Sequence, residues 1–234
     1  MSKSRSISEA LHLSAWLPPA LMTLVCLLGA QFNFLLFHTT AELLSIVIAF
    51  TAMIVATRSR GFTQNIFVVY VALVIGWCAS LDLVHALAYK GMSLIGNDDP
   101  NPSVQLWVAA RFIQAAALLL SVFLLKRSIN STYVHIGLGI AAFLSLFAIW
   151  SGHFPRMYTE GIGLSLLKIY SEYLIIFMLL LTLIIYWRMR SSMAPRLYQF
   201  LSLALLMMIL SEFSFTRYAS VYGFANLIGH ILKI

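Results

Sequence analysis

The sequence predicts an all-α integral membrane protein, a polytopic helical bundle, and three observations carry that prediction. Of the 234 residues, 61% are hydrophobic and 10% charged, with a mean hydropathy of +0.91, against about 45–50% apolar and about 25% charged in an ordinary soluble domain. The apolar residues fall into runs of roughly the 20 residues that a helix needs to cross about 30 Å of hydrocarbon. The connections between runs are short, so no extramembrane domain of any size fits between them.

Windows of about 19 residues place the runs near 14–35, 38–57, 65–88, 104–125, 133–151, 168–187 and 197–217. These are seven complete transmembrane helices, and an eighth starts near 223. Lys3 and Arg5 ahead of the first run imitate a signal peptide. That run is too long for a cleaved one, however, and it carries Pro18-Pro19. The eighth run, Gly223 to Ile234, spans only about 18 Å at 1.5 Å per residue, so the chain is expected to be truncated within its last helix. Repeats, low-complexity tracts and linkers are absent from the sequence. The expected organisation is therefore a tail, residues 1–13, followed by one transmembrane unit, residues 14–234.

Charge gives the orientation, because Lys and Arg in short loops stay cytoplasmic. Lys3, Arg5, Arg58, Arg60, Lys126, Arg127, Arg188, Arg190 and Arg196 fall on the N-terminal tail and on the connections 2–3, 4–5 and 6–7. That face is expected in the cytoplasm, with the N-terminus. The net charge of +7 thus reads as a topology signal, and nucleic acid is not an expected partner; the bilayer is. Cys26 and Cys78 both lie in apolar runs, which leaves no disulfide framework.

The opposite, outer face collects seven of the eight acids. His38 and Glu42 lie four apart at the start of span 2, Asp82 and His85 three apart near the end of span 3, and each pair shares a helical face. Lys168 and Glu172 open span 6, Asn226 and His230 open span 8, Glu212 lies near the end of span 7, and Arg111 early in span 4 supplies a counter-charge. A charge well inside a bilayer costs about 2.5–3.5 kcal/mol on insertion scales. So many at one depth either snorkel and pair as structural salt bridges, as Lys168 with Glu172 would, or line a polar pocket that takes a small ligand, an ion or a proton.

Imidazole and carboxylate together suit a divalent transition metal, with His38, His85, His230, Glu42 and Asp82 as candidate ligands. Two histidines on different helices could instead bracket a haem, although no attachment motif supports it, and proton binding is a third option. His12, His135 and His153 read as surface histidines. Trp16, Trp77, Trp107, Trp150 and Trp187 lie mostly toward span ends and read as interfacial anchors, with no ligand cage in them. His38 to Glu42 is His-x-x-x-Glu, so the zinc-protease helix is missing, as are the serine-hydrolase elbow and a phosphate-binding glycine loop. The chain is therefore not expected to be an enzyme.

The polar segments also carry a family resemblance. Leu36-Phe37-His38-Thr39-Thr40-Ala41-Glu42, Leu81-Asp82-Leu83-Val84-His85-Ala86, Tyr89-Lys90-Gly91-Met92, Trp107-Val108-Ala109-Ala110-Arg111-Phe112, Lys168-Ile169-Tyr170-Ser171-Glu172-Tyr173, Ser211-Glu212-Phe213-Ser214-Phe215-Thr216-Arg217 and Asn226-Leu227-Ile228-Gly229-His230 resemble the bacterial membrane-associated sensor domain of the third type, a MASE-family module. The resemblance runs from about residue 15 to the end. It implies a sensor domain in the bacterial inner membrane, feeding a cytoplasmic histidine kinase of a two-component system or a cyclic di-GMP enzyme in the same or a partner chain. By analogy with such paired outputs it also implies a homodimer. Position by position, it carries over His38, Glu42, Asp82, His85, Lys90, Arg111, Glu172, Glu212 and His230 as the family's polar residues; Arg217 joins them from its place beside the outer layer.

The function expected is thus a signal-input domain that detects a small ligand, ion or proton near the extracytoplasmic face. A transporter or channel that uses the same acids and histidines is the rival. Against it, span 1, span 5 and the cytoplasmic halves of the other spans offer little polar continuity for a path across the membrane.

Overall fold

The computed structural model describes residues 13–59, 66–92, 94–95, 98–123, 130–216 and 222–233, with the side chains of 13–15 left aside. The described residues form eight α-helices and one small hairpin: α1 Leu13–Phe32, α2 Phe34–Arg58, α3 Ile66–Leu87, α4 Asn101–Ser121, α5 Ser131–Trp150, β1 Tyr158–Thr159, β2 Gly163–Leu164, α6 Leu166–Arg188, α7 Pro195–Phe215 and α8 Phe224–Lys233.

Helix starts follow local chemistry. Asn33 breaks the first apolar stretch because its side chain accepts from the Leu36 backbone N–H at 2.6 Å and caps α2. The α1–α2 boundary therefore falls at residue 33 rather than near 36–37. Asn130 caps α5 and Ser165 caps α6 in the same manner, while α7 begins at Pro195, a first-turn position where no N–H is needed. Gly161 and Gly163 take positive φ, +81° and +102°, in the hairpin that pairs Tyr158 with Leu164.

Six helices, α2 to α7, are long and apolar enough to cross a membrane. The described apolar part of α1, Trp16–Phe32, is shorter, so among the described residues the expected seven complete spans stand at six.

Contacts run in a closed circuit from α2 through α3, α4, α6, α7 and α8 back to α2, with α1 flanking α2 and α5 flanking α3 and α4. α4 is the most enclosed of the candidate spans, and α2 and α5 are largely open. On α5, Tyr133, Ile136, Ile140, Phe143 and Phe147 all point outward, as a lipid-facing stripe does. One half of the circuit is packed with Phe67, Leu118, Ile175, Leu179, Leu205 and Ile209 from α3, α4, α6 and α7. The other half, where α2, α4, α6 and α8 begin and α3 and α7 end, holds the polar side chains.

Candidate functional site: a buried polar layer

Depth comes from helix position. His38 lies four residues into α2, about 6 Å along the axis; His85 lies two residues before the end of α3; Arg111 lies ten residues into α4, about 15 Å down. All are buried, and two groups of them form.

In the larger group Arg111 Nη2 donates to Asp82 Oδ1 at 2.6 Å, and its Nη1 donates to Gln114. Lys233, near the end of α8, donates to both Glu42 oxygens at 2.9 and 2.7 Å and lies 3.1 Å from Asp82 Oδ2. One ammonium thus joins α2, α3 and α8. His230 Nδ1 sits 3.0 Å from Glu42 Oε1. His38 Nε2 faces His85 Nε2 at 3.2 Å, and His85 Nδ1 lies 2.7 Å from the Ser103 carbonyl. Since a carbonyl only accepts, His85 carries a proton on Nδ1, and in its neutral form points the lone pair of Nε2 at His38.

Aromatic rings close the group. Tyr89 stacks on His38 at 3.6 Å between ring centroids and accepts from Asn226 Nδ2 at 3.0 Å. Trp107 lies beneath two cations, 4.8 Å from the Arg111 guanidinium carbon and 4.9 Å from Lys233 Nζ. A small cavity bordered by His85, Tyr89, Ser103, Trp107, Phe215 and His230 reaches the imidazoles. It has room for about one water, so the described geometry suits an ion, a proton or a water and is too tight for a porphyrin between two axial histidines.

In the smaller group Lys168 Nζ lies 2.7 Å from Glu172 Oε1 and donates to the Phe215 carbonyl at 2.7 Å. Glu212 on α7 lies close enough to Glu172 on α6 for the two carboxyls to interact electrostatically. The Lys168 bond to Phe215 ties α6 to the end of α7, where the chain hands over to α8.

Of the residues singled out from the sequence, His38, Glu42, Asp82, His85, Arg111 and His230 come together, and Glu172 and Glu212 form the second group. Lys90 lies apart, in the loop after α3, paired with Glu160. That hydrogen bond holds the Lys90 ammonium above the usual lysine range, and burial raises the neighbouring Tyr222 phenol, which donates to the Lys90 carbonyl at 2.9 Å. Arg217 lies outside the described residues. Trp107, read as an interfacial anchor, is 4% exposed and belongs to the site, whereas Trp16, Trp150 and Trp187 do face outward. His135, read as a surface residue, accepts from Trp77 Nε1 at 3.2 Å. Sequence reasoning missed Lys233, Tyr89 and Ser103 as members of the cluster. Lys233 had a signal, a charge inside an apolar helix three residues from His230; a backbone carbonyl such as that of Ser103 leaves none.

The fold and this layer define a multi-pass helical membrane protein with an ionisable interior at one end. A family model for membrane-associated sensor domains, MASE3, matches residues 30–234, and the chain belongs to that family. No curated protein matches the chain, and no solved structure does.

Proposed function

We propose that this membrane-associated sensor domain reads its stimulus in the larger polar group. A small ligand, ion or proton enters from the extracytoplasmic side, and the signal passes to a cytoplasmic histidine kinase or cyclic di-GMP module. The N-terminus is cytoplasmic, the membrane is the bacterial inner membrane, and the domain itself is a non-catalytic input. One observation carries this reading: the buried carboxylates of α2 and α3, Glu42 and Asp82, are held to α8 through Lys233, with His230 of α8 3.0 Å from Glu42, so a change in occupancy changes how α8 is held. A ligand shifts such an equilibrium only by its differential affinity for two arrangements. Displacement of α8 against α7 and α2 is the transition that this wiring favours.

The test is the output of the full receptor. Glu42→Gln and His85→Ala each lock the output high or low and abolish its response, while Glu172→Gln and Glu212→Gln alter its size. If all four variants respond like the parent, the reading fails. Solute flux in proteoliposomes would favour a transporter; none is expected, because the buried charged side chains of the described residues are confined to one end of the bundle.

A further inference from the structure

We infer that the occupant of the larger polar group is a divalent first-row transition-metal ion, held by His38, His85, His230 and Glu42 and exchanging with the Lys233 ammonium. The inference rests on the sensory reading above and names its ligand.

The donor set is the first argument. Each of the four residues offers one ligand atom, and these atoms lie within 4.8 Å of one another, all buried. Three imidazoles with one carboxylate suit zinc, cobalt, iron and their neighbours, and do not suit magnesium or calcium, which take oxygen. Metal–nitrogen bonds of about 2.0–2.1 Å set neighbouring ligand nitrogens roughly 3.3 Å apart in a tetrahedral site. The His38 and His85 Nε2 atoms are already at 3.2 Å; the remaining ligands would draw inward by about 1 Å to reach bonding distance.

The second argument is the hydrogen-bond account. With His85 fixed by Ser103, its Nε2 is a lone pair. If His38 donates from Nε2, its Nδ1 becomes a bare lone pair, and that atom is buried with no hydrogen-bond partner. If His38 carries its proton on Nδ1 instead, two lone pairs face each other across 3.2 Å. A cation between the two nitrogens relieves that repulsion. The Nδ1–H of His85 on a backbone carbonyl is also the outer hydrogen bond that metal-binding histidines use to fix tautomer and aim.

Lys233 supplies the exchange. Glu42 and Asp82 are already balanced by Arg111 and Lys233. A dication added beside both would leave excess positive charge in a low-dielectric interior, where it is costly. The ion and the ammonium therefore compete for Glu42. Binding of the ion displaces the Lys233 ammonium from Glu42 and holds α8 to α2 through His230 instead, and its loss lets Lys233 return.

The test is cobalt binding to the full chain in lipid nanodiscs after chelator treatment. One Co2+ per chain with the visible absorption of a nitrogen- and oxygen-ligated site is expected, bleached by Zn2+. His85→Ala and His230→Ala each weaken binding by about 10-fold or more, and His153→Ala, an exposed loop position, leaves it unchanged. Lys233→Met, which keeps the fold's ligands and removes the competitor, tightens it severalfold. Absence of the absorption in the parent, insensitivity to both histidine substitutions, or a Lys233→Met affinity equal to or weaker than the parent's would each overturn the inference. Because no output is measured, its failure is separate from failure of the sensory reading, which is judged by Glu42→Gln and His85→Ala signalling.

Discussion

The two halves of the bundle hold their helices together by different physics. In the apolar half, Leu118, Ile175, Leu179, Leu205 and Ile209 fill space between α4, α6 and α7. Lipid tails are as apolar as these side chains, so close packing supplies the attraction. Side chains of similar volume are interchangeable there. In the polar half each group has a designated partner: Asp82 for Arg111, Glu42 for Lys233, Ser103 for His85. Removing one partner strands the other in a place where water cannot replace it. The apolar half can only be packed better or worse, whereas the polar half has alternative pairings. A switch between arrangements therefore belongs at the polar end.

Substitutions that keep volume and change only chemistry give the sharpest test of that contrast. Asp82→Asn leaves the Arg111 guanidinium buried without its carboxylate and costs about 3–5 kcal/mol, read as unfolding in detergent. Adding Arg111→Met to it restores most of the loss. A single-variant cost near zero would erase the distinction between the halves.

Gly229→Ala comes next. A Cβ there would enter the Phe215 ring, so α8 must lift from α7 at about 1–3 kcal/mol. The Ser211 hydroxyl, which donates to the Gly229 carbonyl at 2.8 Å, loses its partner as the helix moves. Altered exchange of the α8 amides would register the shift, and unaltered exchange would mean that this contact does not hold α8.

In the apolar half Leu179→Met, equal in volume at a fully buried position, costs at most about 1.5 kcal/mol in the same unfolding assay and leaves any output response intact. A loss as large as that of Asp82→Asn would break the comparison.

The smallest effect is expected where charges meet water. Glu160→Gln removes the partner of Lys90 and lets the Lys90 pKa fall back toward the ordinary lysine value, followed by NMR titration. The sign is fixed by the raised value in the folded protein: the stabilisation is fully present below the lysine range and is lost as pH rises through it. Neutral pH is thus where removal of Glu160 is read in full, and the loss there is small because the pair is exposed.

Much of the layout was legible in the sequence because membrane insertion is governed by local composition. A run of apolar residues needs no distant partner to be recognised as a span, and the i, i+4 spacing of His38 with Glu42 or Lys168 with Glu172 sets them on one helical face by geometry alone. One boundary and one side chain were harder to read. The Asn33 cap wins over an apolar run that continues on both sides of it. The tryptophan rule failed at Trp107 because nearness to a helix end says nothing about which face a side chain occupies.

The sequence by itself determined the class of the protein, its polar depth and the residues that had to be accounted for, since each buried charge carries a cost that no local structure removes. The tertiary structure decided the pairings. Lys233 reaches Glu42 across 191 residues because the helix contacts close on themselves and bring α8 beside α2, whereas Lys90, one turn beyond His85, emerges into the loop and finds Glu160 instead. Sequence spacing reports neighbours along one helix; which helix lies opposite is settled only by how the helices pack.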